Sequence, residues 1–224
     1  PLTYGLRFQD GSYKQTGSII GNQLIGHIDV AGSFLDRILL TLSMPITMYE
    51  SGDSVYGVSP ATGAAVGDPR IGARVRLLGQ PYRGAASLSL GADVWIPINS
   101  FGSPPPFPAQ TGESGVRILP KLIAGGLTHS IMWSVTAGYY YRPTQSLSKL
   151  QPANSNSIGA ELQFGAAVAY ANTGLGLAIG PEVLVSTVVA GGRAFQRDSL
   201  GIEALLGVHY SIVKQVQLSV GGGT

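Results

Sequence analysis

The sequence predicts an all-β fold, an antiparallel up-and-down transmembrane β-barrel that occupies residues 1–224 as one domain. Three observations predict it. Apolar residues recur at every second position, the period of a strand with one apolar face. Many of these runs are roughly 10–15 residues long, whereas strands in soluble sandwiches are nearer 5 or 6. A barrel strand needs about 9–11 residues to cross the hydrocarbon at a strong tilt. The connections also alternate between short and long, as they do when tight turns close one end of a barrel and long loops the other.

Composition agrees. Of 224 residues, 32 are Gly and 14 Pro; 44% are hydrophobic and 12% charged. Average soluble domains carry about 25% charged residues, and so few charges leave a soluble surface poorly covered. The hydrophobic share excludes disorder, and Gly is not placed at every third position as collagen requires. A net charge of +2 is too small to mark a nucleic-acid surface. With no cysteine there are no disulfides and no thiolate metal sites. The opening PLTYGLRF has neither a basic n-region nor an apolar signal core. That is neutral, because a processed exported chain starts the same way.

The strands follow in order. In residues 2–9, Leu2, Tyr4, Leu6 and Phe8 alternate with Thr3, Gly5, Arg7 and Gln9. Leu24, Ile28 and Val30 alternate with His27 and Asp29, and the run from Ile38 through Leu40, Leu42, Met44 and Ile46 to Met48 alternates with Arg37, Thr41, Ser43 and Thr47. Ile71, Ala73, Val75 and Leu77 face away from Arg74 and Arg76; Ala86, Leu88, Leu90, Val94 and Ile96 face away from Ser87, Ser89, Asp93 and Trp95. Val116, Ile118, Leu122 and Ala124 oppose Arg117 and Lys121, with Leu119 and Ile123 sharing the charged face. Ile131, Trp133, Val135, Ala137, Tyr139 and Tyr141 alternate with Ser134, Thr136, Gly138 and Arg142.

Residues 162–181 hold no charge, and a hydropathy window would flag them as a membrane helix. Parity argues for two strands instead. Ile158, Ala160, Leu162, Phe164, Ala166, Val168 and Tyr170 fall on one face, with Gly159, Glu161, Gln163, Gly165, Ala167 and Ala169 on the other. A helix would scatter Glu161 and Gln163 and carry several interior glycines at roughly 1 kcal/mol each. After a break at Asn172-Thr173, Leu175, Leu177, Ile179, Pro181, Val183 and Val185 alternate with Gly176, Ala178, Gly180, Glu182 and Leu184. Leu200, Ile202, Ala204, Leu206, Val208 and Tyr210 then oppose Glu203 and His209, and Val216, Leu218 and Val220 oppose Gln215, Gln217 and Ser219.

Short connections are expected near 33–35, 80–83, 127–128, 172–173 and 212–213, and long ones near 11–21, 49–66, 99–113, 144–156 and 189–196. The long ones are rich in Gly, Pro, Ser and Asn, and Pro cannot donate to a sheet ladder. Phe34, Trp133, Tyr170 and Tyr210 sit by the short turns, and Phe8, Tyr49, Tyr139 and Tyr141 toward the long loops. Two interfacial girdles have this layout, although aromatics also favour strands in general. These runs make eleven candidates, whereas single-chain bacterial barrels usually have an even number. Twelve strands are therefore expected, the closing one either missed or beyond residue 224.

With the apolar face toward lipid, the other face lines the lumen. It carries Arg7, His27, Asp29, Arg37, Arg74, Arg76, Asp93, Arg117, Lys121, Arg142, Glu161, Glu182, Glu203 and His209. Acids and bases are mixed, and the guanidinium fork can grip a carboxylate with two bonds. Two states of the lumen are open from sequence: a dense ion-pair network that fills it, or a water-filled small pore. Arg74, Arg76, Arg117 and Lys121 lie on neighbouring strands and would favour anions if unpaired.

No catalytic constellation is found. His209, Ser211 and Glu203 share a strand face, but positions i and i+2 lie about 7 Å apart, and a nucleophile needs its base at about 3 Å. His27 and Asp29 have the same spacing and are read as lumen residues, not metal ligands. Asp53 and Asp68 flank a loop without calcium-loop spacing, and no P-loop or dinucleotide fingerprint is present. The expectation is no enzyme, no cofactor and no metal. Strand glycines are read as allowing curvature and close approach of bulky lumen residues.

Four segments, GDPRIGARVRLLG at 67–79, VRILPKLIAGG at 116–126, IGPEVLVSTVV at 179–189 and IEALLGVHY at 202–210, resemble the barrel portion of OmpA-like outer-membrane proteins of the delta-proteobacterial and myxobacterial type. The resemblance implies Sec export and assembly into the bacterial outer membrane with the N-terminal end in the periplasm; the alternating connections put short turns periplasmic and long loops extracellular, and the mixed lumen charge favours a structural or docking role in the Gram-negative envelope with a lumen largely filled by charged side chains. The resemblance also implies contact with outer-membrane lipid and lipopolysaccharide, with an envelope protein partner, and with peptidoglycan through a domain absent from this chain. A porin-like narrow channel for small solutes or ions is the alternative, and recognition by the long loops a third reading.

Overall fold

A computed structural model of the chain describes residues 22–51, 64–80, 84–98, 115–146, 157–172, 174–189, 194–196, 199–213 and 216–223. These residues form strands β1 (Asn22–Phe34), β2 (Ile38–Ser51), β3 (Ala65–Val66), β4 (Arg70–Gly79), β5 (Ser87–Trp95), β6 (Arg117–Thr128), β7 (Ile131–Tyr140), β8 (Gln145–Ser146), β9 (Ser157–Ile158), β10 (Glu161–Asn172), β11 (Leu177–Val188), β12 (Leu200–Val213) and β13 (Val216–Gly223). No α-helix occurs among the described residues. Residues 162–181 are the β10–β11 hairpin, as parity predicts.

The main sheet has 11 strands in the order β1-β2-β4-β5-β6-β7-β10-β11-β12-β13, with β3 added to β2; β8 and β9 form a separate two-stranded pair. Long strands therefore neighbour the next long strand in sequence, which is up-and-down topology. Among the described residues the path is open, with β1 and β13 at its ends. The strand expected at residues 2–9, and Arg7 with it, lies outside the described residues.

The chain divides into two compact units, Pro1–Gly32, Thr41–Ile71 and Val94–Val116 in one and Ser33–Leu40, Gly72–Asp93 and Arg117–Thr224 in the other. In the first, β3 returns onto β2 with Ile46 opposite Val66 and Thr47 opposite Ala65. The Gly67 amide donates to the Pro45 carbonyl at 2.9 Å and the Ile96 amide to Pro69 at 3.0 Å. Arg70 lies over the Trp95 ring at 6.0 Å. In the second unit, β6, β7, β10, β11, β12 and β13 pair antiparallel in that order, with a register shift between Ser211 and Val213 in the β12–β13 pair.

Several tight turns lie about two residues later than alternation suggests. The first is at residues 35–37, where Leu35 and Asp36 have φ of 52° and 51° and the Arg37 amide donates to the Phe34 carbonyl at 3.0 Å. Two successive left-handed residues make the type I′ geometry that matches strand twist, but Leu carries no turn signal. The second is at residues 129–130, with His129 at φ 56°. The turn before β11 uses Gly176 at φ 63° and the Asn172 side chain, which accepts from the Leu175 amide at 3.0 Å.

The two faces are buried the wrong way round for a sheet in water. Along β10, Phe164, Ala166, Val168 and Tyr170 are exposed while Gln163, Gly165, Ala167 and Ala169 are half-buried. Register carries this to the neighbours: Val135, Ala137 and Tyr139 stand beside Ala166, Phe164 and Leu162, and Val183 and Ile179 beside Ala166 and Tyr170. Among the described residues the buried apolar side chains are Ala65, Tyr140 and Ala171, whereas the buried polar ones are Ser43, Thr47, Glu50, Asp68, Asp93, Arg117 and Thr187.

Candidate functional site

The half-buried face of the second unit gathers most of the predicted lumen residues. Alternation puts Arg117, Leu119, Lys121, Ile123 and Gly125 of β6 on it, and register sets Lys121 opposite Gly138 and Gly125 opposite Ser134. Glu161 stands opposite Tyr140, Glu182 opposite Leu205, Glu203 opposite Leu184 and His209 opposite Ala178.

Toward the β6 start, the β7 end and the β10 start, charges are satisfied by neighbours. Lys121 Nζ is paired with the Asp93 carboxylate, whose side chain is only 8% exposed. The lysine lies over glycine on both sides. A Cβ on Gly91 would sit 3.4 Å from Lys121 Cε, and one on Gly138 3.2 Å from its Cβ. Glycine here makes room for a long side chain on the half-buried face. Arg142 is paired with Glu161 and donates from Nε to the Gly159 carbonyl at 2.9 Å. Gln163 Nε2 donates to Glu161 Oε2 at 3.4 Å. Arg117 donates to the Tyr140 hydroxyl at 3.2 Å, and Arg142 stacks on the same ring at 5.8 Å. The result is a continuous lattice of Arg117, Tyr140, Arg142, Glu161 and Gln163 built on three adjacent strands. Further along, His209 Nε2 lies 3.9 Å from Glu182 Oε1, and both reach over Gly207, where a Cβ would be 3.5 Å from the imidazole nitrogen.

At the short-turn end the chemistry is different. A cavity of about 510 Å³ is lined by Arg37, Arg74, Arg76, Ser89 and Ser134 among others, with Asp36 its one carboxylate. The Arg76 amide donates to the Arg37 carbonyl at 2.8 Å, so the two residues are sheet neighbours. Arg74 stands two positions along the same face. None of the three arginines forms an ion pair among the described residues. The sequence-level grouping of Arg74, Arg76, Arg117 and Lys121 is thereby corrected. Lys121 has Asp93 and Arg117 has Tyr140, because β5 and β7 bring them those partners; Arg37, not Arg117 or Lys121, joins Arg74 and Arg76.

His27 and Asp29 lie exposed on β1, and Glu203 is exposed on β12; none of them forms an ion pair among the described residues. Sequence reasoning placed Gln163 on the face of Glu161 without giving it a role, and missed Tyr140. Parity with Gly138 and Arg142 was the signal for Tyr140, masked by the adjacent Tyr139 and Tyr141. It also missed Glu50, and read Asp68 only as flanking a loop; both are buried. No group of three or more His, Asp or Glu side chains able to hold a metal ion occurs among the described residues. No family model matches the chain, and no curated protein sequence matches it.

Proposed function

We propose that the chain is the barrel domain of an OmpA-like outer-membrane protein with a structural or docking role in the envelope, its inner face lined by laterally paired charged side chains. The observation that carries this reading is the inversion of burial. Leu122, Val168, Leu206 and Val220 are 47%, 51%, 57% and 77% exposed, and they stand for a whole apolar face. Burying one such side chain is worth about 1.5–3 kcal/mol, and monomeric soluble proteins seldom expose contiguous apolar patches beyond a few hundred Å². Hydrocarbon covers such a face without a second protein layer. Phe34, Tyr170 and Tyr210 beside the short turns, and Tyr139 and Tyr141 at the opposite strand ends, are exposed where interfacial aromatics belong. In lipid an open sheet edge leaves unpaired backbone groups, so the reading requires closure of β1 and β13, directly or through a further strand. Short turns are then periplasmic and long loops extracellular. Lipid and lipopolysaccharide are the outer-face partners, and peptidoglycan is reached only through a further domain.

The test exploits the absence of cysteine. Single cysteines placed at Val168 and Ala166, and at Ala167 and Ala169, are labelled with an environment-sensitive dye after refolding into vesicles. Blue-shifted emission at 166 and 168, and reaction of 167 and 169 with a water-soluble thiol reagent, is the expected alternation. Equal, water-like emission at all four positions refutes the membrane reading. A narrow channel is the second reading, favoured by the 510 Å³ cavity, which a filled inner face would not contain.

A further inference from the structure

We propose that Arg37, Arg74 and Arg76 form a binding site for a free tetrahedral oxyanion, of the inorganic phosphate or small phosphorylated solute class. Arg37, at the end of the tight turn before β2, is joined to Arg76 of β4 by a backbone hydrogen bond, and Arg74 stands two positions along β4. They share one cavity of about 510 Å³, several times the size of a phosphate ion. Elsewhere on this face the strand bases lie beside acids or a phenol: Lys121 by Asp93, Arg142 by Glu161, His209 by Glu182, Arg117 by Tyr140. At the short-turn end, among the described residues, the three bases have no such partner, and Asp36, the carboxylate among the lining residues, is in no ion pair. Three like charges side by side raise the local positive potential, and an anion relieves their repulsion. Arginine presents paired N–H donors that match two oxygens of a phosphate. Ser89 and Ser134 supply hydroxyls among the lining residues. A ligand larger than phosphate has room for an uncharged body against Ile123 and Met132.

The site is a property of the inner face, so it does not depend on what covers the outer one. The experiment uses the whole chain folded in a nonionic, phosphate-free detergent, with folding verified by strand-type circular dichroism and heat-modifiable gel mobility. Radiolabelled inorganic phosphate is titrated by equilibrium dialysis at low and high salt. Saturable binding is expected, weakened about tenfold or more in R74Q/R76Q, largely retained in R74K/R76K, and reduced by added salt. The lysine pair separates loss of charge from loss of fold. Absence of saturable binding by folded protein overturns the site, as does equal binding by R74Q/R76Q. Saturable phosphate binding that is lost when anionic phospholipid replaces the detergent overturns the free-solute assignment, because a headgroup then holds the site. A chain that binds phosphate but shows no lipid-facing alternation in the cysteine scan retains this site and loses the barrel reading.

Discussion

The Lys121–Asp93 pair gives an asymmetric prediction. The Asp93 side chain is 8% exposed and that of Lys121 25%. Lys121→Met keeps most of the stem that lies across Gly91 but leaves a carboxylate buried without its cation. Breaking a buried pair from one side typically costs 3–5 kcal/mol. Because the lysine end is partly wetted, the lower end of that range, about 3 kcal/mol, is expected. Asp93→Asn leaves an ammonium on a flexible four-carbon stem that can swing toward water, so the cost falls to about 1 kcal/mol. The double variant removes both charges and is expected to cost about 1.5 kcal/mol, giving a coupling of about 2.5 kcal/mol. Urea unfolding of the folded protein in micelles, followed by tryptophan fluorescence, measures all three; Trp95 lies two residues from Asp93. Strictly additive single variants, or a larger loss for Asp93→Asn than for Lys121→Met, refute the claim that burial of the carboxylate dominates.

Three shorter predictions test other parts of the fold. Leu122→Arg, mid-strand on the exposed apolar face, should cost about 2–4 kcal/mol in vesicles, while Leu35→Arg on the tight turn should stay within about 0.5 kcal/mol; equal small effects in urea titrations argue against lipid at Leu122. Replacing Leu35-Asp36 by Asn-Gly should raise stability by about 1 kcal/mol, because both positions have positive φ and this pair favours type I′ turns; a lower urea midpoint contradicts the turn geometry. Gly138→Ala should destabilise by about 1–2 kcal/mol, because its Cβ would lie 2.8 Å from Leu119 Cδ1 and 3.1 Å from the Pro120 carbonyl oxygen; an unchanged midpoint in the same titration contradicts that crowding.

Strand identity was legible because period two is a local property. In residues 162–181, Phe164, Val168 and Tyr170 repeat at that period even without a charge to mark the other face. Turn positions were less legible. Leu35 and His129 take left-handed backbone because hairpin twist demands it, and neither residue type announces this. The short β8–β9 pair, inside what reads as a Pro- and Ser-rich loop, has too few residues for any period to show. Membership of the half-buried face was legible for Lys121, Glu161 and His209 from parity alone. Their partners were not, since pairing depends on register: the sequence holds nothing that ties Asp93 to Lys121 before β5 and β6 lie side by side.

Register also bears on whether the inner face closes a lumen or leaves it open. Asp93 and Lys121 are on neighbouring strands β5 and β6, Arg117 and Tyr140 on β6 and β7, and Glu182 and His209 on β11 and β12; Arg142 follows β7 and meets Glu161 at the start of β10. Each contact is lateral. Gly91, Gly138 and Gly207 let these long side chains lie along the sheet instead of standing out from it. Lateral pairs stiffen a wall, whereas a plug needs bridges between strands that are not neighbours. If the proposed barrel closes around water, as the channel reading has it, Arg37, Arg74 and Arg76 give that path an anion preference. Planar-bilayer recordings of the folded protein should show steady conductance, with a reversal potential in a salt gradient that shifts toward cations in R74Q/R76Q. Silent insertion of correctly folded protein refutes the open wall, and it would mean that groups outside these lateral pairs fill the centre.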